Sequence, residues 1–527
     1  MLQLFKNISG LNLNRSKSEI LQIGVPLTSN YTLFHLKWKK ERIYALGTWF
    51  YKDHQLAINQ TYENRLQILK DTINTWKRRN LTWIGKITVI KSICIAKLNY
   101  AITNIETPRW FTDQTKKLIE SFLWDCKPPR VKTKVMYNSY EQGGLRLTNL
   151  ECYIHAQKIN WIKHLLYDEN TVPAQYVASF IEMEMINFLK CNIDSDDISV
   201  NIPEFYREIL HAWFCLKKEP ETAQEIQRTV IWKNKYIKIG NKSLFYRELY
   251  DTGLVFINDI LDHNGLFISH EALVQKYGNK FTEYDFICLK DAIPKSWRKI
   301  LRSSRLINIE PRNETLFFDL NNGSKPIMLL KSKQVYWFLN NKCIKAPSCI
   351  QAWSKKYNIE FSENEWKKIF CLTKSITVNT KLQEFQFKII HRVYASSSYV
   401  SNFDKTVSKN CILCGEINNI QHFFAECVNV RTFWQELKIW LRNNEQKDIS
   451  INTNNIIFGI YKESNYQANF YILHAKWYIH LQRESMRPIR LTTFLNYFKT
   501  VLIVEQQLSC NLKTNSEFRK IWGNLEI

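Results

Sequence analysis

Residues 62–101 read YENRLQILKDTINTWKRRNLTWIGKITVIKSICIAKLNYA. Tyr62, Leu66, Leu69, Ile73 and Trp76 recur at alternating spacings of four and three, which places them on one face of an amphipathic α-helix. A second helical period follows over about 82–101. Between Thr72 and Ile105 stand six basic residues, Lys77, Arg78, Arg79, Lys86, Lys91 and Lys97, and no acidic one. A run of like charge is commonly a solvated helix face. Two successive helices without a compensating carboxylate point instead to a polyanion, and these six are the candidate contacts to a duplex phosphate backbone.

The flanking segments set the fold class. On the N-terminal side, residues 1–24 read as a helix end, a turn at Ser9-Gly10 and a strand-like Ile20-Leu21-Gln22-Ile23. Residues 32–51 hold a second strand pair, and the β-prone run 43–50 (IYALGTWF) places Gly47 for a bulge or a close backbone approach. On the C-terminal side a third helix over about 113–124 stops before Pro128-Pro129. Gly143-Gly144-Leu145-Arg146-Leu147 then turns tightly into a short extended piece, and a helix over about 151–167 follows. Residues 231–300 mix aromatic anchors with turn signals, and 301–330 are turn-rich at Pro311-Arg312-Asn313 and Asn321-Asn322-Gly323, with a short hairpin. Helices return over about 332–340, 362–371 and 380–394; Ser362 and Glu365 form a capping box for the second. Val430, Phe433, Trp434, Leu437, Trp440 and Leu441 share one helical face, and 465–527 is mostly helical. The chain is therefore expected to be mainly α with small β elements (α+β) and multi-domain.

Its 527 residues allow several cores, and 45% hydrophobic content excludes a disordered chain. The 73 Lys and Arg against 49 Asp and Glu leave a net charge of +24, which favours nucleic acid over a membrane surface. The charge is uneven: residues 1–150 carry +14 and residues 167–230 carry −7, so the contact surface is expected toward the basic end. The 13 cysteines are odd in number and mostly isolated among apolar residues, as in Ile93-Cys94-Ile95, which suits reduced thiols in an intracellular, cytoplasmic or nuclear protein. No signal peptide or membrane span is visible; the longest apolar run, near 84–102, is interrupted by Lys86, Lys91 and Lys97.

The chemistry-bearing motif lies far downstream. Residues 411–427 read CILCGEINNIQHFFAEC, a C-x2-C-x7-H-x4-C pattern. The short Cys411–Cys414 gap lets both thiolates turn toward one ion, and Gly415 supplies the backbone freedom for that turn. With His422 and Cys427 the set has four ligands, enough to close a tetrahedral Zn²⁺ shell with no position left for water, so the site is structural and not hydrolytic. No catalytic constellation emerges elsewhere. Asp194, Asp196 and Asp197 lie in an acidic loop-like segment, not on a rigid hairpin. His391 reads as a partly buried helix residue, and no phosphate-cradling glycine loop is present.

Several stretches in order resemble the reverse-transcriptase polyprotein of non-LTR (LINE-type) retrotransposons. Residues 5–24 (FKNISGLNLNRSKSEILQIG) look like the segment after that polymerase's catalytic Asp-Asp hairpin, with Ser9-Gly10-Leu11, Asn14 and Lys17-Ser18-Glu19 matching. Tyr44-Ala45-Leu46-Gly47 is similar to the family's Leu-Gly strand at the primer end, although Ala45 stands where an aromatic is usual. Residues 76–81 (WKRRNL), Gly85-Lys86-Ile87 and Val89-Ile90-Lys91-Ser92 resemble the thumb helices. Phe122-Leu123-Trp124, Gly143-Gly144-Leu145, Leu147-Thr148-Asn149-Leu150 and the zinc stretch with Trp434 complete the series.

The resemblance implies a palm remnant at 1–52 with primer-grip-like Leu46 and Gly47, a helical thumb-like bundle at 53–167 and a connector at 168–330. It also implies a helical region at 331–445 with the zinc knuckle at 411–427, and a helical tail at 446–527. The implied partner is RNA or an RNA–DNA hybrid duplex, with no membrane partner. The family's fingers, earlier palm and metal-binding carboxylates would lie before Met1, so the chain alone is expected to lack polymerase activity, and Mg²⁺ is expected only if a catalytic palm is supplied elsewhere. An active reverse transcriptase with its palm upstream and a zinc-containing protein-interaction module are the alternatives.

Overall fold

The computed structural model describes residues 2–10, 12, 14, 16–24, 37–167, 171–278, 282–303, 316–320, 323–357, 359–445, 449–462, 465–511 and 522. Among them the chain is mostly helical, with four two-stranded sheets. The turn at Pro311-Arg312-Asn313, Leu11 and most of 512–527 lie outside the described residues. The chain divides into two units that interleave in sequence: Met1–Thr72, Cys94–Lys117 and Asn149–Lys342 form the first, and Ile73–Ile93, Leu118–Thr148 and Cys343–Ile527 the second.

In the first unit Arg42–Ala45 and Thr48–Tyr51 pair antiparallel, with Ala45 opposite Thr48. The expected bulge in a single strand is therefore a hairpin turn. Leu46 and Gly47 both have positive φ, 52° and 79°, as a two-residue hairpin loop requires. The close approach expected at Gly47 is present: Arg65 Nη2 donates to Gly47 O at 2.5 Å, and a Cβ on Gly47 would lie 2.2 Å from that nitrogen. A parallel pair, Glu19–Leu21 with Lys37–Lys39, lies N-terminal to it. The helix His54–Lys77 begins here and buries Tyr62, Leu66 and Leu69.

The acidic middle of the chain folds in this unit as short helices around large aromatic anchors. Trp213 and Trp232 are almost fully buried, and their indole N–H groups donate to Leu189 O and Leu254 O. A Thr222–Glu225 capping box starts one of these helices, which is too short to hold by propensity alone. The hairpin expected over 301–330 is Phe317–Leu320 with Gly323–Pro326; its Asn321-Asn322 turn lies outside the described residues.

The second unit is helical. Glu363–Ile376, Thr380–Ile390, Val428–Glu445, Thr453–Phe458, Tyr466–Glu484 and Leu491–Asn511 enclose one apolar core. Ser362 caps the first by accepting from Glu365 N, and Glu365 reaches back to Ser362 N at 2.8 Å. Val430, Phe433, Trp434, Leu437 and Leu441 are buried as one stripe. Trp83–Val89 joins this unit through Thr82, whose hydroxyl caps the helix, and through Trp83 N, which donates to Glu384 Oε2 at 2.6 Å.

The helical period over 82–101 is real but not uniform. Trp83–Val89 and Ala96–Asn104 are α-helical, and Ile90–Ile95 between them is a π-helical turn. The hydroxyls of Thr88 and Ser92 bond the carbonyls four residues back, Ile84 O and Thr88 O, as those of Thr72 and Thr103 do inside regular α-helices. No described helix is long and apolar enough to cross a membrane.

Candidate metal centre and cationic surface

Three short backbone devices bring the four knuckle residues together. The chain doubles back through an isolated bridge between Asn410 and Ile417, with Cys411 N donating to Glu416 O at 2.6 Å. Gly415 takes φ +80° and donates its N–H to Cys411 O at 2.8 Å, the left-handed step that turns Cys411 and Cys414 to one side. His422 opens a second π-helical turn, His422–Glu426, which closes with Cys427 N on His422 O at 3.0 Å. Widening the helix by one residue per turn puts His422 and Cys427 beside the paired thiols.

The result is one ligand atom each from Cys411, Cys414, His422 and Cys427, all within 4.8 Å of one another. Cys414 Sγ lies 3.2 Å from His422 Nε2 and 3.9 Å from Cys427 Sγ. A tetrahedral Zn²⁺ with bonds of about 2.3 Å to sulfur sets neighbouring sulfurs about 3.8 Å apart, so the spacing fits such a shell. The four residues can therefore hold a metal ion.

The local electrostatics agree. Burial pushes the Cys411 thiol up, but the Leu413 N–H, His422, the Cys414 N–H and Arg483 together outweigh it and bring the group down to about 6. Cys427 is pushed the other way, to about 11, by burial and by the charge on Cys411. Thiols this close suppress one another's ionisation, and a divalent cation reverses that effect. Arg483, on Tyr466–Glu484, was not foreseen as part of the site. Its Nη2 donates to Cys411 Sγ at 2.9 Å, its Nη1 to Phe423 O at 3.0 Å, and the guanidinium lies 4.2 Å over the Phe423 ring. Three thiolates and a neutral imidazole around a divalent ion would leave one net negative charge, which Arg483 would face through Cys411 Sγ. Only its proximity in space marks it, because nothing in 411–427 points to a residue so far downstream. Phe423, Phe424, Phe433 and Trp434 are buried packing residues, with Trp434 Nε1 donating to Phe424 O at 2.7 Å.

The six basic residues divide. Lys77, Arg78 and Arg79 are exposed at the end of their helix and just beyond it, Arg79 lying 4.7 Å over the Trp76 ring. Lys91 is exposed on the π turn. Lys86 corrects the expectation of an open contact. It is 5% exposed, its ammonium bonds Asp125 Oδ1 at 2.6 Å and Leu123 O at 3.4 Å, and it lies against the Phe122 ring. A helix-face carboxylate was absent from 73–104 in sequence, yet Asp125 supplies one in space. Lys97 belongs to the first unit and bonds Thr72 Oγ1 at 2.8 Å. In that unit too, Leu46 is 78% exposed, while Gly47 is spent on Arg65.

The remaining chemistry-bearing candidates are structural. Asp194 pairs with Lys238 at 3.7 Å and Asp197 accepts from Ser243 at 3.1 Å. His391 caps the helix Thr380–Ile390; burial lowers it to about 3, and it stacks on Phe387 at 4.0 Å. No family model matches the chain.

Proposed function

We propose that this chain binds a nucleic-acid backbone, RNA or an RNA–DNA hybrid, as the thumb-to-C-terminal portion of a non-LTR retrotransposon reverse transcriptase, and that its Cys411, Cys414, His422 and Cys427 hold a structural Zn²⁺. The observation that carries the binding is the exposed Lys77-Arg78-Arg79 end of a helix on a chain with net charge +24. Such a cluster attracts phosphates without reading bases. The choice of RNA or hybrid rests on the resemblance of 5–24, 44–47 and 76–92 to that family. The zinc is favoured over other metals by three thiols and one imidazole at tetrahedral spacing. Its role is to fold a segment, and catalysis by this chain alone is not part of the proposal.

Fluorescence anisotropy with a labelled RNA–DNA hybrid tests the binding. Affinity should fall steeply with salt, and Lys77→Gln with Arg78→Gln and Arg79→Gln should weaken it and reduce the salt slope by about two to three. Absence of salt-sensitive binding removes the reading. Metal content of the wild type against Cys411→Ser with Cys414→Ser tests the zinc; equal zinc in both ends that part.

A further inference from the structure

A second set of cations, unlike Lys77, Arg78 and Arg79, is assembled from three separate stretches of the second unit. Tyr140 is at its centre. The Arg146 guanidinium lies 4.8 Å from the Tyr140 ring centroid and the Lys374 ammonium 3.8 Å from it. Lys91 is near enough that both charges act on it: burial first, then Arg146 and Lys374, push its ammonium down to about 8. None of the three cationic side chains has an ion pair or a hydrogen bond to a carboxylate among the described residues, and all three residues are exposed.

The fold holds this arrangement firmly. Tyr140 and Arg146 sit on the turn 139–147. Gly144 N donates to Ser139 O at 2.9 Å and Arg146 N to Asn138 O at 3.0 Å. A Cβ on Gly144 would lie 2.3 Å from Asn138 O, and one on Gly143 would lie 2.8 Å from Phe370, so the turn presses directly on the helix that carries Lys374. Arg146 itself is left-handed, with φ 57°, a conformation that disfavours a residue with a Cβ. Lys91 is delivered by the π-helical turn Ile90–Ile95, a device frequent at functional sites. Strained backbone, a widened helix and three like charges bonded to no carboxylate are costs that packing alone does not offset; the Glu141 carboxylate on the same turn acts, like Arg146 and Lys374, on Cys371.

We infer that Arg146 and Lys374, which flank Tyr140, form with Lys91 beside them a seat for a backbone phosphate of the bound nucleic acid. Arg146 can present two parallel N–H groups to a phosphate, and the two lysines add point charges. An anion would relieve the mutual repulsion of the three. The neighbouring cavity, lined by Tyr140, Lys374, Phe387 and His391, is about 40 Å³, room for a few waters but not for a base. The seat therefore takes the phosphate at its mouth and reads no base.

The inference rests on the proposed nucleic-acid binding, and the experiment separates the two. Full-length protein is titrated with a labelled RNA–DNA hybrid across a salt series. The variants are Lys91→Gln with Arg146→Gln and Lys374→Gln, each of the last two alone, and Lys367→Gln, which lies on the same helix as Lys374 and is paired with Glu363. The triple variant should lose roughly tenfold or more in affinity and flatten the salt slope by about one to two. Arg146→Gln and Lys374→Gln should each weaken binding in part, and Lys367→Gln should bind as the wild type does. The two single variants guard against misfolding of the triple one. Wild-type affinity and slope in both of them overturn the seat while leaving the general binding intact. A wild type with no salt-sensitive binding overturns both.

Discussion

The knuckle and the Tyr140 cluster both crowd like groups into a small volume, with opposite sign. At the knuckle, burial and the charges on Cys411 and Cys414 hold the Cys427 thiol up, beside one imidazole. At the second place Arg146 and Lys374 flank one ring, and both charges act on Lys91. Each includes a residue from one of the two π-helical turns among the described residues. The difference lies in enclosure. Two of the knuckle's three cysteines are buried, and Arg483 closes it from outside, whereas the three cationic residues of the cluster reach solvent, Lys91 with its ammonium partly buried. A closed set of thiolates suits a resident ion, and an open set of cations suits a ligand that comes and goes. On the readings proposed above, the first would hold a small divalent cation inside it and the second a phosphate at its mouth.

Four changes break or sharpen this contrast. The largest effect is expected from Cys411→Ser with Cys414→Ser. Structural zinc contributes on the order of 10 kcal/mol to small metal-folded segments, so this variant should lose its metal and expose the region around 411–427 to limited proteolysis. Chelation of the wild type should reproduce the same cleavage pattern.

A next change concerns a buried charge that belongs to neither cluster. Lys476 is buried against Gln386 Oε1 and Ile457 O, and burial lowers its ammonium from the usual 10.5 to about 7. Between pH 7 and 10.5 the unfolded chain binds a proton there that the folded chain does not. Stability should therefore rise across that window, by roughly 4 kcal/mol, and should be fully penalised below pH 7. Denaturant melts at pH 7 and pH 10 check this, and Lys476→Met should remove the rise.

Arg483→Met should leave all four ligands in place but lose the charge facing the thiolates. Metal affinity measured by chelator competition should fall by about 10–100-fold, and unchanged affinity would make Arg483 a packing residue only. The smallest effect is expected from Lys86→Met. Its partner Asp125 is largely exposed, so the lost ion pair should cost only about 0–1 kcal/mol. The salt slope of nucleic-acid binding should not move, in contrast to Lys77, Arg78 and Arg79.

Parts of this were legible in the chain as written. The knuckle could be found because all four ligands fall within 17 positions, and local spacing constrains local geometry. The helix face of Tyr62, Leu66, Leu69 and Ile73 could be found for the same reason. At Gly47 the expected close backbone approach is present, and a hairpin turn stands where a bulge was the other expectation; a β-prone run looks alike with or without a two-residue turn, and only the two positive φ values distinguish them. The pairing of Lys86 is not legible because its carboxylate partner, Asp125, stands 39 residues on, beyond two further α-helices. Lys374 and Arg483 were out of reach altogether, since each acts on residues far away in sequence. The π turn at Ile90–Ile95 has no local sequence signal, since the hydroxyls of Thr88 and Ser92 bond as those of Thr72 and Thr103 do in regular helices.

The most direct test of the account is the salt dependence of binding to an RNA–DNA hybrid by the zinc-loaded full chain. With Lys77, Arg78, Arg79 and the Tyr140 cluster engaged, log affinity should fall linearly with log salt, with a slope of about −3 or steeper. A slope near zero, or no binding at low salt, would contradict it.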